Sequence, residues 1–332
     1  MNRFVTDFLE KSIALGFYHL HVRATPDPFR PLQPEAMECL AARPEDFYAI
    51  PAEPPRLEFT KASQGTSALR DRFTFRSPLT SPYPKNNLVH GLANLRAEGK
   101  ANGALILVHG HTMTTLALLE WYTRPAVQMG MDVYFIALPY HMQRAPGGTW
   151  SGQYSLNADI SGSALAFRQG VQDLRSLISW IEAERSAPVI LAGISLGAFT
   201  CCMTAVVDER PKAVISILGG GSLAQILWDG YQLGRSRKQL AARGVSFADL
   251  DQYWMLLGPG NWQPRISRER IMLIAGKYDP IVTPGNVERL WERWNRPDIH
   301  WYPCGHGTIA HFHHPVRKAI FRFLSKTPEL SV

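Results

Sequence analysis

The pentapeptide Gly193-Ile194-Ser195-Leu196-Gly197 carries the strongest chemical signal in the chain. It follows the apolar run Val189-Ile190-Leu191-Ala192 and precedes Ala198-Phe199-Thr200. A strand that turns abruptly into a helix at such a motif is a nucleophile elbow. Glycine tolerates the backbone crowding on both flanks, and the serine hydroxyl projects from the turn. The helix that begins there favours negative charge developing beside it. A passive serine on a glycine-rich strand end is the alternative.

An activated serine needs a base, and the base needs an acid to orient it. Asp279 lies in Gly276-Lys277-Tyr278-Asp279-Pro280, just past the apolar run Ile271–Ala275. His306 lies further on, in Cys304-Gly305-His306-Gly307, where flanking glycines would free the ring to approach the serine. The order Ser, Asp, His, with gaps of 84 and 27 residues, leaves room for an insertion plus a strand and then a helix plus a strand. A turn or capping role for Asp279 and a plain loop histidine at His306 are the competing readings. His311, His313 and His314 crowd behind His306. They lack the carboxylates and second ligand pair of a metal site, and fit better at the start of a final helix over Pro315–Leu324.

A tetrahedral intermediate needs two hydrogen-bond donors. Leu196 N–H, directly after the serine, is one candidate. His111 N–H is the other, in His109-Gly110-His111-Thr112 after the run Leu105–Val108, with Gly110 allowing close approach and Thr112 nearby. His109 reads as a structural histidine that ties down this loop. Tyr140, His141 and Met142 in the segment Leu138–Arg144, with Trp150, Tyr154, Trp228 and Trp254, are candidate lining residues for a substrate pocket. Packing in the core or a lid is an equal reading for them.

The elements that must position these groups are legible as short apolar runs without alternation. They are Ala104–Val108, Val133–Leu138, Val189–Ala192, Ala213–Leu218 and Ile271–Ala275, as strands buried on both faces of a parallel sheet require. Before them, Arg72–Arg76 alternates Phe73 and Phe75 with polar residues, and Asn87–Arg96 reads as another strand. Helical periodicity separates the runs, most clearly over Ala166–Glu184. The pattern predicts a doubly wound, mostly parallel α/β sheet over residues 71–325. Residues 222–270 are too long for a crossover and read as an inserted helical lid. Residues 1–70 read as an N-terminal extension, with helical spacing of Phe4, Phe8, Leu9 and Ile13 and a second short helix over Pro34–Ala42. No chemistry-bearing motif stands out in that extension. Residues 326–332 form a tail.

Composition sets the outer bounds. The chain has 332 residues, 45% hydrophobic and 19% charged, which excludes disorder, collagen and coiled coil. Its net charge of +7 is dispersed, without a run of like charge, so a basic surface is expected rather than a nucleic-acid partner. The four cysteines include no C-x-x-C pair, and the first 20 residues carry charges that secretory leaders lack. A reducing, cytoplasmic setting is therefore expected. The uncharged stretch 186–207 is long enough to cross a bilayer, but Pro188, Gly193 and Gly197 make it a strand, turn and helix instead. No stable membrane span is expected, and a homo-oligomer is left open.

Taken together, His109-Gly110, the turn around Ser195, the Gly276-x-x-Asp279 strand end and Gly305-His306-Gly307 resemble the α/β-hydrolase superfamily over residues 71–325. The resemblance implies an esterase- or lipase-like serine hydrolase that needs no cofactor and acts on a small-molecule ester or acyl substrate. It implies a Ser195–His306–Asp279 triad, an acyl-enzyme intermediate and an oxyanion hole at Leu196 and His111, with residues 222–270 in the place of a lid. Serine in place of the aspartate nucleophile argues against dehalogenase chemistry. A peptidase or amidase of the same fold and a non-catalytic ligand-binding protein are the alternatives.

Overall fold

The computed structural model describes residues 3–17, 42–61, 71–96, 99–114, 117–230 and 233–327. Among them, one sheet of nine strands runs in the order β1-β2-β3-β5-β4-β6-β7-β8-β9. The antiparallel end comprises β1 (Glu58–Lys61), β2 (Asp71–Arg76) and β3 (Leu88–Asn94). The parallel remainder is β4 (Ala104–Val108), β5 (Asp132–Ile136), β6 (Val189–Ile194), β7 (Ala213–Ile217), β8 (Ile271–Gly276) and β9 (Asp298–Tyr302). Every residue of β4, β5, β7 and β8 is buried, whereas β3 alternates buried and half-buried positions. The runs without alternation thus occupy the doubly covered centre.

Period-2 geometry divides each central strand between two apolar layers. Ile106 and Val108 of β4 face one layer, and Leu105 and Leu107 face the other. The first layer packs against α4 (Ile160–Arg185), α5 (Leu196–Val207) and α9 (Pro284–Arg293). The second packs against α3 (Ala117–Gln128) and α10 (His313–Leu324). Each fully buried Leu, Ile or Val contributes about 1.5–3 kcal/mol before conformational entropy is counted. Helix α4 begins six residues before the expected Ala166. Asp159 caps it by accepting from Gly162 N at 2.9 Å, and the first turn buries Ser161 and Ser163, which carry no apolar period.

Residues 222–270 contribute α6 (Leu223–Asp229), α7 (Gly234–Ala241) and α8 (Phe247–Tyr253), followed by three short 3₁₀ turns between Met255 and Arg270. Asn286 fixes their entry: its Oδ1 accepts from Gly221 N and Ser222 N, both at 2.8 Å. The N-terminal region contributes α1 (Arg3–Phe17), α2 (Pro44–Phe47) and β1. Tyr48, fully buried, donates its hydroxyl to Leu256 O at 2.9 Å, tying this region to the 222–270 segment. The short helix expected over Pro34–Ala42 falls almost entirely outside the described residues.

Helix α1 forms at the expected spacing but turns the other way. Phe4 (80% exposed) and Phe8 (66%) face outward, whereas Thr6 and Glu10 are buried. The order of strands reverses at β4, because the chain passes to β5 on one side and later to β6 on the other. Open α/β sheets bind ligands beyond the carboxyl ends of the strands at such a switch point. The loops after β4, β6, β8 and β9 therefore decide what this protein can do.

Candidate active site

Ser195 sits between β6 and α5 with φ 55° and ψ −118°, a conformation that costs a non-glycine residue about 1–3 kcal/mol. Its own N–H donates to Ile217 O at 2.8 Å, which holds the turn against β7. A Cβ at Gly193 would strike the Gly197 carbonyl, and one at Gly197 would strike the carbonyls of Val108 and His109. Gly110 approaches from the neighbouring loop less tightly, and a Cβ there would lie 3.2 Å from Ser195 Cβ.

Three loops bring the predicted groups together. His306 Nε2 lies 2.8 Å from Ser195 Oγ, and its Nδ1 lies 2.7 Å from Asp279 Oδ2. The other oxygen of Asp279 accepts from Ile281 N and Val282 N at 2.8 and 2.9 Å. Asp279, 3% exposed, is thereby held in one orientation with its second oxygen aimed at the imidazole. An acceptor at Nδ1 places the proton there and leaves Nε2 free to accept from the serine hydroxyl. Burial is the largest influence on His306 and lowers its pKa. The Asp279 charge and hydrogen bond, with the Glu10 charge, outweigh it and raise the pKa above its ordinary 6.5.

His109 behaves oppositely. Its Nδ1–H donates to Gly110 O at 2.7 Å and its Nε2 accepts from Leu138 N at 2.9 Å, which defines one neutral tautomer. With no carboxylate partner, burial pushes its pKa down to about 4. It ties the β4 loop to the β5 loop, the structural task expected of it. His111 contacts Gly152 O through Nε2 at 3.0 Å, and burial lowers its pKa to about 4 as well.

Ser195, Leu196, His306, His111 and Thr112 line one cavity of about 190 Å³. The other walls include Leu156, Phe199, Leu223, Ile226, Leu233 and Ile281. Thr112 holds a left-handed conformation, φ 65°, beside the serine. The remaining expected lining residues sit elsewhere. Trp254 is 2% exposed and donates its indole N–H to Ile160 O at 3.1 Å, as a core residue does. Trp228 packs on Phe247 and the core. Tyr140 lines a second cavity with Tyr83 and Tyr154. His141 is fully buried behind the β4 loop, 4.7 Å from the His109 ring.

The segment 138–144 is held by Arg144, also fully buried. Its guanidinium donates to Ala137 O and Asn86 O and lies 2.8 Å from Asp173. The tryptophans Trp228 and Trp254 thus serve packing, and the apolar wall of the Ser195 cavity is mainly aliphatic. Apart from Leu196, none of these apolar wall residues was expected at the pocket from sequence, and neither were Glu10 and Ile13 of α1, which also line it. The only signal for Glu10 was its place beside Thr6 at i, i+4 on a helix with apolar residues elsewhere.

Comparison with known proteins bears on this arrangement. The family model described as alpha/beta hydrolase domain containing 18 matches residues 116–232. An uncharacterized protein of Mycobacterium tuberculosis strain H37Rv is 30% identical over 213 residues, covering 61% of this chain. The match takes in 49% of that protein, so the chain spans about half the length of the curated relative it matches. Among solved structures, acetyl xylan esterase 1 from Thermoanaerobacterium sp. JW/SL YS485 superposes with a TM-score of 0.64 at 16% identity, covering 90% of this chain and 96% of the esterase. A puromycin-hydrolyzing peptidase of Mycobacterium tuberculosis superposes with a TM-score of 0.56 at 16% identity, covering 80% of this chain and 40% of the peptidase. Likeness at these identities shows a shared fold.

Proposed function

The chain is an α/β-hydrolase-fold protein, and from that premise we propose that it is a serine hydrolase cleaving carboxylic ester bonds. The fold and its relatives support hydrolase function in general. The hydrogen-bonded series Asp279–His306–Ser195 is the observation that carries the finer reading. In this reading His306 takes the Ser195 proton as the serine attacks the ester carbonyl. Asp279 holds the imidazole in the correct tautomer and stabilises the imidazolium. The amides of Leu196 and His111 receive the oxyanion, and His306 returns its proton to the leaving alcohol. Water then repeats the sequence on the acyl-enzyme.

The cavity supports a small substrate. Its volume is below the roughly 300–1,000 Å³ of pockets that take drug-sized ligands, and its walls are mainly aliphatic. Residues 222–270 are the proposed lid, since Leu223 and Ile226 of α6 and Leu233, just before α7, close one side. An ester is favoured over an amide because an alcohol leaves with less help than an amine. A chain-length series of p-nitrophenyl esters, run beside matching anilides, tests this. Hydrolysis should be fastest for short acyl chains and slow for anilides. Turnover confined to anilides would overturn the ester assignment in favour of a peptidase or amidase.

A further inference from the structure

Helix α1 reaches the site from the far end of the chain, nearly 300 residues before His306. Glu10, 4% exposed, lies against the loop that carries the histidine. Its Oε2 accepts from Gly307 N at 3.1 Å, and its Oε1 accepts from Thr308 N at 2.8 Å and Thr308 Oγ1 at 2.9 Å. The same Thr308 hydroxyl oxygen accepts from Gly305 N at 2.8 Å. One carboxylate therefore gathers the backbone on both sides of His306, directly at Gly307 and Thr308 and through the hydroxyl at Gly305.

The glycines flanking His306 fit this arrangement. A Cβ at Gly305 would lie 2.6 Å from Glu10 Cγ, and one at Gly307 would lie 2.8 Å from Ile13 Cδ1. Their lack of side chains admits α1. Ile13 and Glu10 also form part of the wall around Ser195. We propose that α1 completes the active site, with Glu10 as the positioning residue that fixes the His306 loop, and that the site is competent only with this helix docked. The proposal rests on the serine-hydrolase reading. Among the described residues, the charges acting on His306 are those of Asp279 from the β8 turn and Glu10 from α1. The Cys304 thiol of its own loop is pushed up to about 12 by burial and stays neutral.

The test is Glu10→Gln in the full chain. A glutamine has one acceptor oxygen, so its NH₂ must confront an amide N–H that the carboxylate satisfied. We expect kcat to fall at least about 10-fold with KM within about 3-fold, as for a group that acts on the chemical step. The acid limb of kcat/KM should move to lower pH, and the His306 ring should titrate lower by NMR, because one raising influence has gone. Unchanged kcat together with an unmoved titration would overturn the positioning role. Thr308→Val, which keeps the carboxylate but removes the hydroxyl link, covers the case in which Glu10→Gln is recovered poorly. It should lower kcat without moving the acid limb, and unchanged kcat there would also overturn the proposal. The ring titration needs no turnover. A shifted titration in a protein that fluorophosphonate fails to label would sink the hydrolase reading alone, and labelling with unchanged kcat and an unshifted titration would sink the Glu10 assignment alone.

Discussion

Two turns at this site are flanked by glycines, and they need them for different reasons. At the Ser195 elbow the crowding comes from backbone. Gly193 and Gly197 meet each other, and Gly197 also meets the backbone of the adjacent strand end. At the His306 loop the crowding comes from α1, whose Glu10 and Ile13 fill the space beside Gly305 and Gly307. The first turn is a property of strand, turn and helix packed against the end of β4. The second is a property of a remote helix packing onto a loop, and its neighbours are ends of flexible side chains rather than carbonyls.

The largest expected effect separates the two turns from the rest of the cavity. His306→Ala should lower kcat/KM by about 10⁴-fold or more, read in steady-state ester hydrolysis, since members of such a unit lose most of the catalysis singly. Next in size, Gly197→Ala should destabilise the fold by about 4 kcal/mol or more in urea unfolding, because backbone carbonyls cannot move aside. An effect below about 1 kcal/mol would mean that the elbow is less crowded than described.

A third contrast lies between the histidines on either side of Ser195. His306 has Asp279 and should titrate above 6.5, whereas His109 should remain neutral to a pH near 4. Ring NMR should separate them by more than about two pH units, which corresponds to about 3 kcal/mol of differential interaction. Activity follows the higher one. As pH falls through the His306 pKa the ring becomes imidazolium, which cannot accept the Ser195 proton, so kcat/KM should drop on that limb. Coincident titrations would contradict the different partners assigned to the two rings.

The smallest effect sharpens the comparison most. Gly305→Ala should cost about 1–2 kcal/mol, and less in a Glu10→Ala background where the obstructing side chain is gone. Additive costs would place the crowding elsewhere.

What could be read without coordinates follows the same division. Short apolar runs specify the central strands because both faces are covered, and the elbow is legible because its strand, its glycine-flanked serine and its helix start are contiguous in sequence. The start of α4 was hidden because Ser161 and Ser163 bury polar side chains without an apolar period. Strand β1 was hidden because all four of its residues are exposed. The histidine loop was recognisable by its glycines, but the reason for them was not, since Glu10 stands almost the full chain length away. Tryptophans suggested a pocket wall because they are large and apolar. Trp254 and Trp228 spend that surface on packing instead, and Leu and Ile side chains make up most of the cavity's apolar wall.

The central claim is that Ser195 is an activated nucleophile. Its most direct measurement is incubation of the folded protein with a fluorophosphonate probe, followed by mass spectrometry of the digested chain. A single adduct on Ser195, absent from Ser195→Ala, is the predicted result. A native, folded protein that takes no label, or a Ser195→Ala variant that still does, would contradict it.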